Sequence, residues 1–473
     1  MKKIITVISI QCLALILMIG ITNGQSHLWG ITNTSVFRSD IDGSNLQFYQ
    51  YSGSVGSYGL GGVVLGNNGI FYAINDAGSI CNDNAILYSF DPSSGLFTDI
   101  YDFDCSYGDY GWNPENSPMF ASNGKLYGMT NYGGGANQGV IYEVDPITNI
   151  YTDIHDFEDS TGLSPSGTLI QLNDGKIYGT AVGGTNSAGV IFCYNPIDST
   201  YTPLHYFDNT MLGNGPEENE LIQASDGKLY GTTTNGGAYN NGVIFSFDVS
   251  TGVYSDIYDF DSLQGYDPAA GVIQATNGLL YGTNTRGGVN NEGNIYSYNI
   301  STNTYTDLYD FNQGYQYSPG TRQLLQASNG LLFGTMLCAN CINNNYGIYY
   351  SFNISTDSFN ILYIFHQDIN GSFPDCHIIE VPDSVTTGIK PINTKNIISI
   401  YPNPATSTIT IQQSNPSLHQ QLLITDIMGK TIYTEPVNNS PQSTIDISEW
   451  SNGVYFYQLK GEKETVQGKF VKE

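Results

Sequence analysis

Leu221-Ile222-Gln223-Ala224-Ser225-Asp226-Gly227-Lys228-Leu229-Tyr230-Gly231-Thr232-Thr233 is the stretch that decides the fold of this chain. Two short apolar and β-branched runs flank Ser-Asp-Gly, and Asp-Gly is a preferred two-residue turn of a β-hairpin. The chain continues through a loop at 235–242, a run from Val243 to Asp248, the turn Ser250-Thr251-Gly252 and a run from Tyr254 to Phe260. Alternation and turn chemistry predict four antiparallel strands, a to d. No segment of the unit carries apolar residues at helical spacing over a helix's length.

The unit repeats. GKLYGMT, GKIYGTA, GKLYGTT, GLLYGTN and GLLFGTM place an aromatic at Tyr127, Tyr178, Tyr230, Tyr281 and Phe333, 51 or 52 residues apart. GIFYAIN at Tyr72 and HLWGIT at Trp29 bring the anchors to seven. Four-stranded units at this period are the signature of β-propeller blades. The first repeat starts at its strand b, His27 to Thr32, and lacks a strand a. The last runs past Phe365 into Cys376–Val381, a strand a with no b after it. The expectation is therefore an all-β chain, a seven-bladed β-propeller over residues 25–381 in which the C-terminal strand closes blade one. Closure removes the free edges that open sheets must otherwise protect.

Residues recurring in nearly every blade read first as structure. The Tyr-Gly of strand b and the Phe ending strand d (103, 157, 207, 260, 311, 365) are expected to pack blade on blade. Acids recur in strand d at 99, 153, 256 and 307 and at 102, 156, 259 and 310. A catalytic acid is needed once, so a per-blade acid is expected to satisfy a loop amide or to face solvent.

Charge divides the chain. Of 473 residues, 43 are Asp or Glu and 15 Lys or Arg, a net charge of −28, yet only 12% are charged. Seven lysines lie beyond residue 387 beside seven acids. Two more lie in the leader, leaving Arg38, Lys125, Lys176, Lys228, Arg286 and Arg322 against 36 acids. The middle segment thus carries about −30 and the tail is neutral. This disfavours nucleic acid and anionic membranes as partners, because both rest on clustered Lys and Arg.

Met1-Lys2-Lys3, the apolar run Ile4 to Ile21 and the small or polar exit Thr22-Asn23-Gly24 read as a secretory signal peptide over residues 1–24, with no transmembrane segment after its cleavage. A polar linker at 382–396 precedes a β-rich tail at 397–473, expected to be a small Ig-like β-sandwich of about seven strands.

The repeat pattern L-x-Q-A-S-D-G-K-L-Y-G-T-T, continued by Y-x-D-I-Y-D-F, resembles the GloVer tandem repeat of secreted bacterial proteins with varied cell-surface anchors. The resemblance covers about residues 27–381 and implies a surface-exposed module without an assigned reaction. The tail, with YPNPAT at 401–406, Asp426-Ile427-Met428-Gly429-Lys430, Gly453-Val454-Tyr455-Phe456-Tyr457 and Lys469-Phe470-Val471-Lys472, resembles the C-terminal sorting domain of the type IX (Por) secretion system of Bacteroidetes-type bacteria. That resemblance implies the type IX machinery as a partner and an address outside the cell or on the outer-membrane surface.

An exported chain can keep disulfides. Loop placement predicts a Cys81–Cys105 bridge and a second from Cys376 to Cys341 or Cys338. Cys193, mid-strand, reads as a buried thiol. The C-x-x-C at 338–341 has only His366 and His377 nearby, short of a persuasive four-ligand zinc site. No cofactor is called for; calcium at an acidic rim of Asp104, Asp109 and Glu115 is the one ion to consider.

No nucleophile elbow, zinc-protease helix, phosphate loop or dinucleotide fingerprint is present. Glu217-Glu218 could flank a sugar, but a solvated loop explains them as well. The d–a and b–c loops share one face and carry aromatics that do not repeat: Tyr107, Tyr110, Trp112, Tyr132, Tyr239, Tyr266, Tyr315 and Tyr317. Such residues suit stacking on sugar rings or a protein partner. The sequence therefore points to a binding module for glycan or protein ligands ahead of the alternative, a polysaccharide hydrolase or lyase.

Overall fold

A computed structural model describes residues 26–52, 55–77, 85–103, 111–114, 116–165, 167–208, 213, 215–216, 220–268, 270–311, 317–319, 322–338, 345–366, 374, 376–383, 398–401, 405–413, 420–426, 430–437, 442–460 and 465–472. The signal segment, Cys81, Cys105, Cys341, Glu217, Glu218 and the acids Asp104, Asp109 and Glu115 lie outside them.

The chain divides into two units, residues 1–388 and 389–473. The first is a seven-bladed β-propeller of antiparallel sheets. Blade five pairs Ile222–Gln223, Leu229–Thr233, Val243–Asp248 and Val253–Asp259 in that order. In blade one, Gln47–Gln50, Ser35–Asp40 and Ser26–Ile31 are joined by Ile379–Pro382, with His27 opposite Val381 and Trp29 opposite Ile379. The segment that closes the ring serves two sheets. Its first residues, Cys376–His377, pair in parallel with Gly61 and Gly62 of blade two before the chain crosses Ile378 into blade one.

A single contact pattern welds the blades. In blades two to six strand d offers a ring to the strand d of the next blade: Tyr101 on Tyr151 (centroids 4.0 Å, planes 5° apart), His155 on Tyr201 (3.9 Å, 7°), His205 on Tyr254 (4.2 Å, 4°), Tyr258 on Tyr305 (4.4 Å, 2°) and Tyr309 on Phe359 (4.9 Å, 12°). Burial pushes the His155 imidazole down to about 4, so it stacks as a neutral ring near neutral pH. Two residues on, the recurrent Phe drives edge-on against the same partner ring, as Phe260 does against Tyr305 (85°), and also meets the aromatic of the next strand c, here Tyr296. Offset and edge-to-face pairs of this kind contribute about 0.5–1.5 kcal/mol beyond area burial.

The Tyr-Gly word has its own cause. The strand-c aromatic lies across the glycine of strand b: a side chain on Gly231 would stand 2.6 Å from Phe245 Cζ, and one on Gly179 2.7 Å from Phe192 Cζ. Only glycine admits so close an approach.

A polar clasp repeats beside the rings. The Gln of strand a accepts a hydrogen bond from the a–b turn of the preceding blade, Gln171 from Ser122 N, Gln274 from Ser225 N and Gln326 from Thr276 N, each at 2.7 Å. At the seam Glu380 takes this place, accepting from both Ser328 N and Ser328 Oγ at 2.7 Å.

The second unit packs two sheets around Ile409, Leu422, Ile424, Ile445, Tyr455 and Phe470. One holds Ile398–Tyr401, Thr408–Gln413 and Gln442–Asp446; the other Thr431–Val437, Gln420–Asp426, Gly453–Lys460 and Thr465–Lys472. Lys430 N donates to Asp426 Oδ1 at 2.9 Å across the D-x-x-G-K turn. No helix of the described residues is long and apolar enough to cross a membrane.

Phe260→Ala, which empties a fully buried blade junction, is expected to cost about 3–5 kcal/mol of unfolding free energy, read from urea denaturation of the full chain. Glu380→Gln is expected to leave stability close to wild type, since glutamine fills this place in other blades. Glu380→Ala is expected to cost about 1–3 kcal/mol through the donors it orphans.

Candidate functional site

The loop face is built from the d–a and b–c loops, which are tied together in blades three, four and six. Trp112 and Tyr132 exchange backbone hydrogen bonds (2.9 and 3.2 Å) and stack their rings at 4.5 Å. Leu163 with Val182, and Tyr266 with Arg286, form the same bridge elsewhere. Three of the aromatics singled out from sequence thus stand at a recurrent structural tie, with Tyr132 still 39% exposed. Tyr239 stands apart at the tip of its loop, 61% exposed, and Leu263 (81%) and Val289 (84%) are exposed on neighbouring loops. Tyr317 opens a short strand, Tyr317–Pro319, beside Leu332–Cys338. Tyr107, Tyr110 and Tyr315 lie outside the described residues.

The per-blade acids do hold loop amides. Asp156, Asp259 and Asp310 accept from Gly135 N (3.0 Å), Ala238 N (2.6 Å) and Val289 N (2.8 Å). Their strand-d companions are strained electrostatically: burial, aided by the charge of Asp259, pushes Asp256 up to about 7, and burial pushes Asp153 up to about 6.

A groove of about 790 Å³ opens on this face where blades four and five meet, lined by Asp159, Ser160, Thr185, Ser187 and Asn235 together with Leu163 and the Gly183-Gly184 backbone. Its polar side chains and exposed peptide groups are suited to a neutral, hydroxyl-rich ligand.

The second concentration of chemistry lies at the axis. Counting two residues back from the strand-a residue that faces each anchor aromatic gives a ring of seven: His377, Gly62, Ser117, Thr168, Glu220, Gly271 and Gln323. His377 Nδ1 stands 3.2 Å from Glu220 Oε1. Arg322, beside Gln323, hydrogen-bonds Asn116, beside Ser117. Burial alone would raise the Glu220 carboxyl, but His377 and the Arg322 guanidinium together hold it below its ordinary range. A cavity of about 370 Å³ adjoins the pair, lined by Glu220, His377, Thr168 and Glu380 and by apolar residues of four strands a. Sequence reading passed over Glu220 in favour of its neighbours Glu217 and Glu218. The signal was its interruption of the repeat, as the one acid at a position where four other blades carry Gly, Ser or Thr.

Cys193 is buried and in no disulfide. Cys376 is buried, and its Sγ accepts from Ile31 N at 3.3 Å. The bridges expected for Cys81, Cys105 and Cys341 fall outside the described residues, as does the acidic rim considered for calcium.

Residues 18–221 and 212–393 match the model of the Gloeobacter/Verrucomicrobia repeat. The chain belongs to this repeat family. Residues 399–473 match the secretion system C-terminal sorting domain, so this member of the Gloeobacter/Verrucomicrobia repeat family carries the type IX tail that directs a protein to the cell surface or beyond. No curated protein matches the chain. Among solved structures it is similar to TolB from Acinetobacter baumannii (15% identity, 60% of this chain and 62% of that one, TM-score 0.37). It is also similar to the extracellular domain of a hybrid two-component system of B. thetaiotaomicron (11%, 94% and 66%, 0.40). A third is a quinoprotein alcohol dehydrogenase-like protein from Bacteroides thetaiotaomicron (14%, 76% and 78%, 0.48). The chain spans less than two thirds of the first two.

Across the window from the usual carboxylate range to about pH 7, Asp256 and Asp153 keep protons in the folded chain that the unfolded chain has released. Their contribution to stability therefore falls as pH rises through that window. Burial pushes the His155 and His205 imidazoles down, and these contribute the opposite slope. The expected readout is therefore a difference, the Tm of Asp256→Asn with Asp153→Asn shifting upward relative to wild type between pH 5.5 and pH 8 in calorimetric scans.

Proposed function

We propose that the exported propeller is a binding module for neutral glycans, held on the loop face at blades four and five. The observation that carries this reading is the 790 Å³ groove, lined by the donors and acceptors of Asp159, Ser160, Thr185, Ser187 and Asn235. The loop that supplies Asn235 also carries Tyr239, an exposed ring free to stack on a sugar face. The excess of acid on the propeller supports a neutral over an anionic glycan. A glycosidase needs two carboxyls set apart across one cleft. Of the two lining the axial cavity, Glu220 is held ionised against His377 and Glu380 spends both oxygens on Ser328. Binding is accordingly preferred to turnover.

The full chain, purified without its leader, is expected to retain neutral oligosaccharides on a glycan array. In calorimetric titration with the best of them, Asp159→Ala or Tyr239→Ala should each weaken binding about ten-fold, the effect of losing one contact of about 1.4 kcal/mol. Retention of none, or retention untouched by these substitutions, sinks the reading; capture of a protein ligand by the same face would replace it.

A further inference from the structure

Blade four departs from the way its neighbours close their b–c loops. In blades three and five the loop satisfies a glycine amide from within: Asn137 Oδ1 accepts from Gly133 N (3.0 Å) and Asn240 Oδ1 from Gly236 N (3.2 Å). The backbone course is the same in blade four. Gly189 N donates to Gly183 O as Gly139 N does to Gly133 O, and Ser187 N to Gly184 O as Asn137 N does to Gly134 O. Gly183 is thus the counterpart of Gly133 and Gly236. Ser187 is that of Asn137 and Asn240, with φ of 56° against 54° and 56°.

Two acceptors are lost there together. Serine in place of asparagine removes the side-chain carbonyl, and among the described residues nothing else accepts from Gly183 N. The aspartate that holds the next amide is replaced as well. Where blades three and five carry Asp156 and Asp259, blade four carries Tyr206, whose ring lies against Gly184 and whose hydroxyl donates to Ser160 O at 2.9 Å. Thr185 N therefore lacks the carboxylate that Gly135 N and Ala238 N hold. Gly183, Thr185 and Ser187 all line the 790 Å³ groove, so the loop that gives up its own acceptors is the one that faces the groove.

The missing group defines the guest. What Asn137 and Asn240 place on the glycine amide is a carboxamide oxygen. Leu163 stands close beside Gly183, its Cγ 2.6 Å from where a Cβ would be, and Val182 and Ala188 share the groove wall, giving a methyl group apolar neighbours. Asp159 lines the groove and, among the described residues, no Lys or Arg does, which disfavours a carboxylate as the replacement.

We infer that the groove recognises its glycan by an acetamido group, as carried by an N-acetylated hexosamine. The acetamido carbonyl accepts from Gly183 N, as the asparagine side chain does in blades three and five, and its methyl rests against Leu163. The inference builds on the neutral-glycan reading of the same groove and adds what the groove selects.

Triacetylchitotriose and cellotriose are built on the same β-linked glucose backbone and differ in acetamido against hydroxyl. In calorimetric titration of the full chain without its leader, triacetylchitotriose is expected to bind about ten-fold more tightly than cellotriose. Ser187→Asn rebuilds the carboxamide of blades three and five at a φ that asparagine tolerates well, and is expected to erase that preference. Ser187→Ala, which adds no acceptor, should keep it. Equal affinity of the wild type for the two trisaccharides, or a preference that survives in Ser187→Asn, overturns the inference and leaves the glycan reading standing. Tighter binding of trigalacturonate than of either overturns both. Binding of none of the three overturns the inference, while the glycan array decides the broader reading separately.

Discussion

The stacking of one blade's outer strand on the next is the contact that the remaining structure depends on. It is made by rings at fixed offsets, Tyr258 on Tyr305 with Phe260 driven edge-on into the same partner, and it recurs along the ring with histidine standing in at 155 and 205. Because flat rings fix both distance and tilt, each junction sets the rotation from blade to blade. The strand-b glycine follows from the same demand, since the strand-c aromatic that meets the preceding Phe must lie across the backbone of its own blade.

Rigid blades allow the inner strands to act as a collar. Positions two residues before each anchor partner face one axis, and five unrelated stretches of sequence line one small space. Five of those positions are small or neutral. The carboxylate and imidazole at two of them, with Arg322 one residue from a third, are departures that the repeat itself does not require.

The blades were legible in the sequence because a residue that packs the same way seven times must be written seven times. Trp29, Tyr72 and the later anchors announced themselves by spacing, and the surplus strand at 376–381 announced the partner it lacked. The axial pair was hidden for the complementary reason. Glu220 and His377 occur once each, and only ring closure makes them neighbours. The loop aromatics fell between these cases: Trp112, Tyr132 and Tyr266 looked like ligand contacts because they do not repeat, yet their backbones form a bridge that blade four makes with Leu163 and Val182. Main-chain pairing is indifferent to side-chain identity, so composition could not reveal it. Tyr239, with no such duty, kept the exposure expected of a contact residue.

The pairing of Ser26–Ile31 with Ile379–Pro382 also sets a clock. Blades two to six can form as soon as their own residues are available, each from hairpins that are local in sequence. Blade one cannot finish until the chain has been made to residue 382, and its closure joins segments some 350 residues apart, the most distant kind of contact and the slowest to form. The ring is therefore completed last. Until then the inner edge of blade one is an unpaired strand, and the interval before closure is when the chain is most exposed to pairing with another copy of itself.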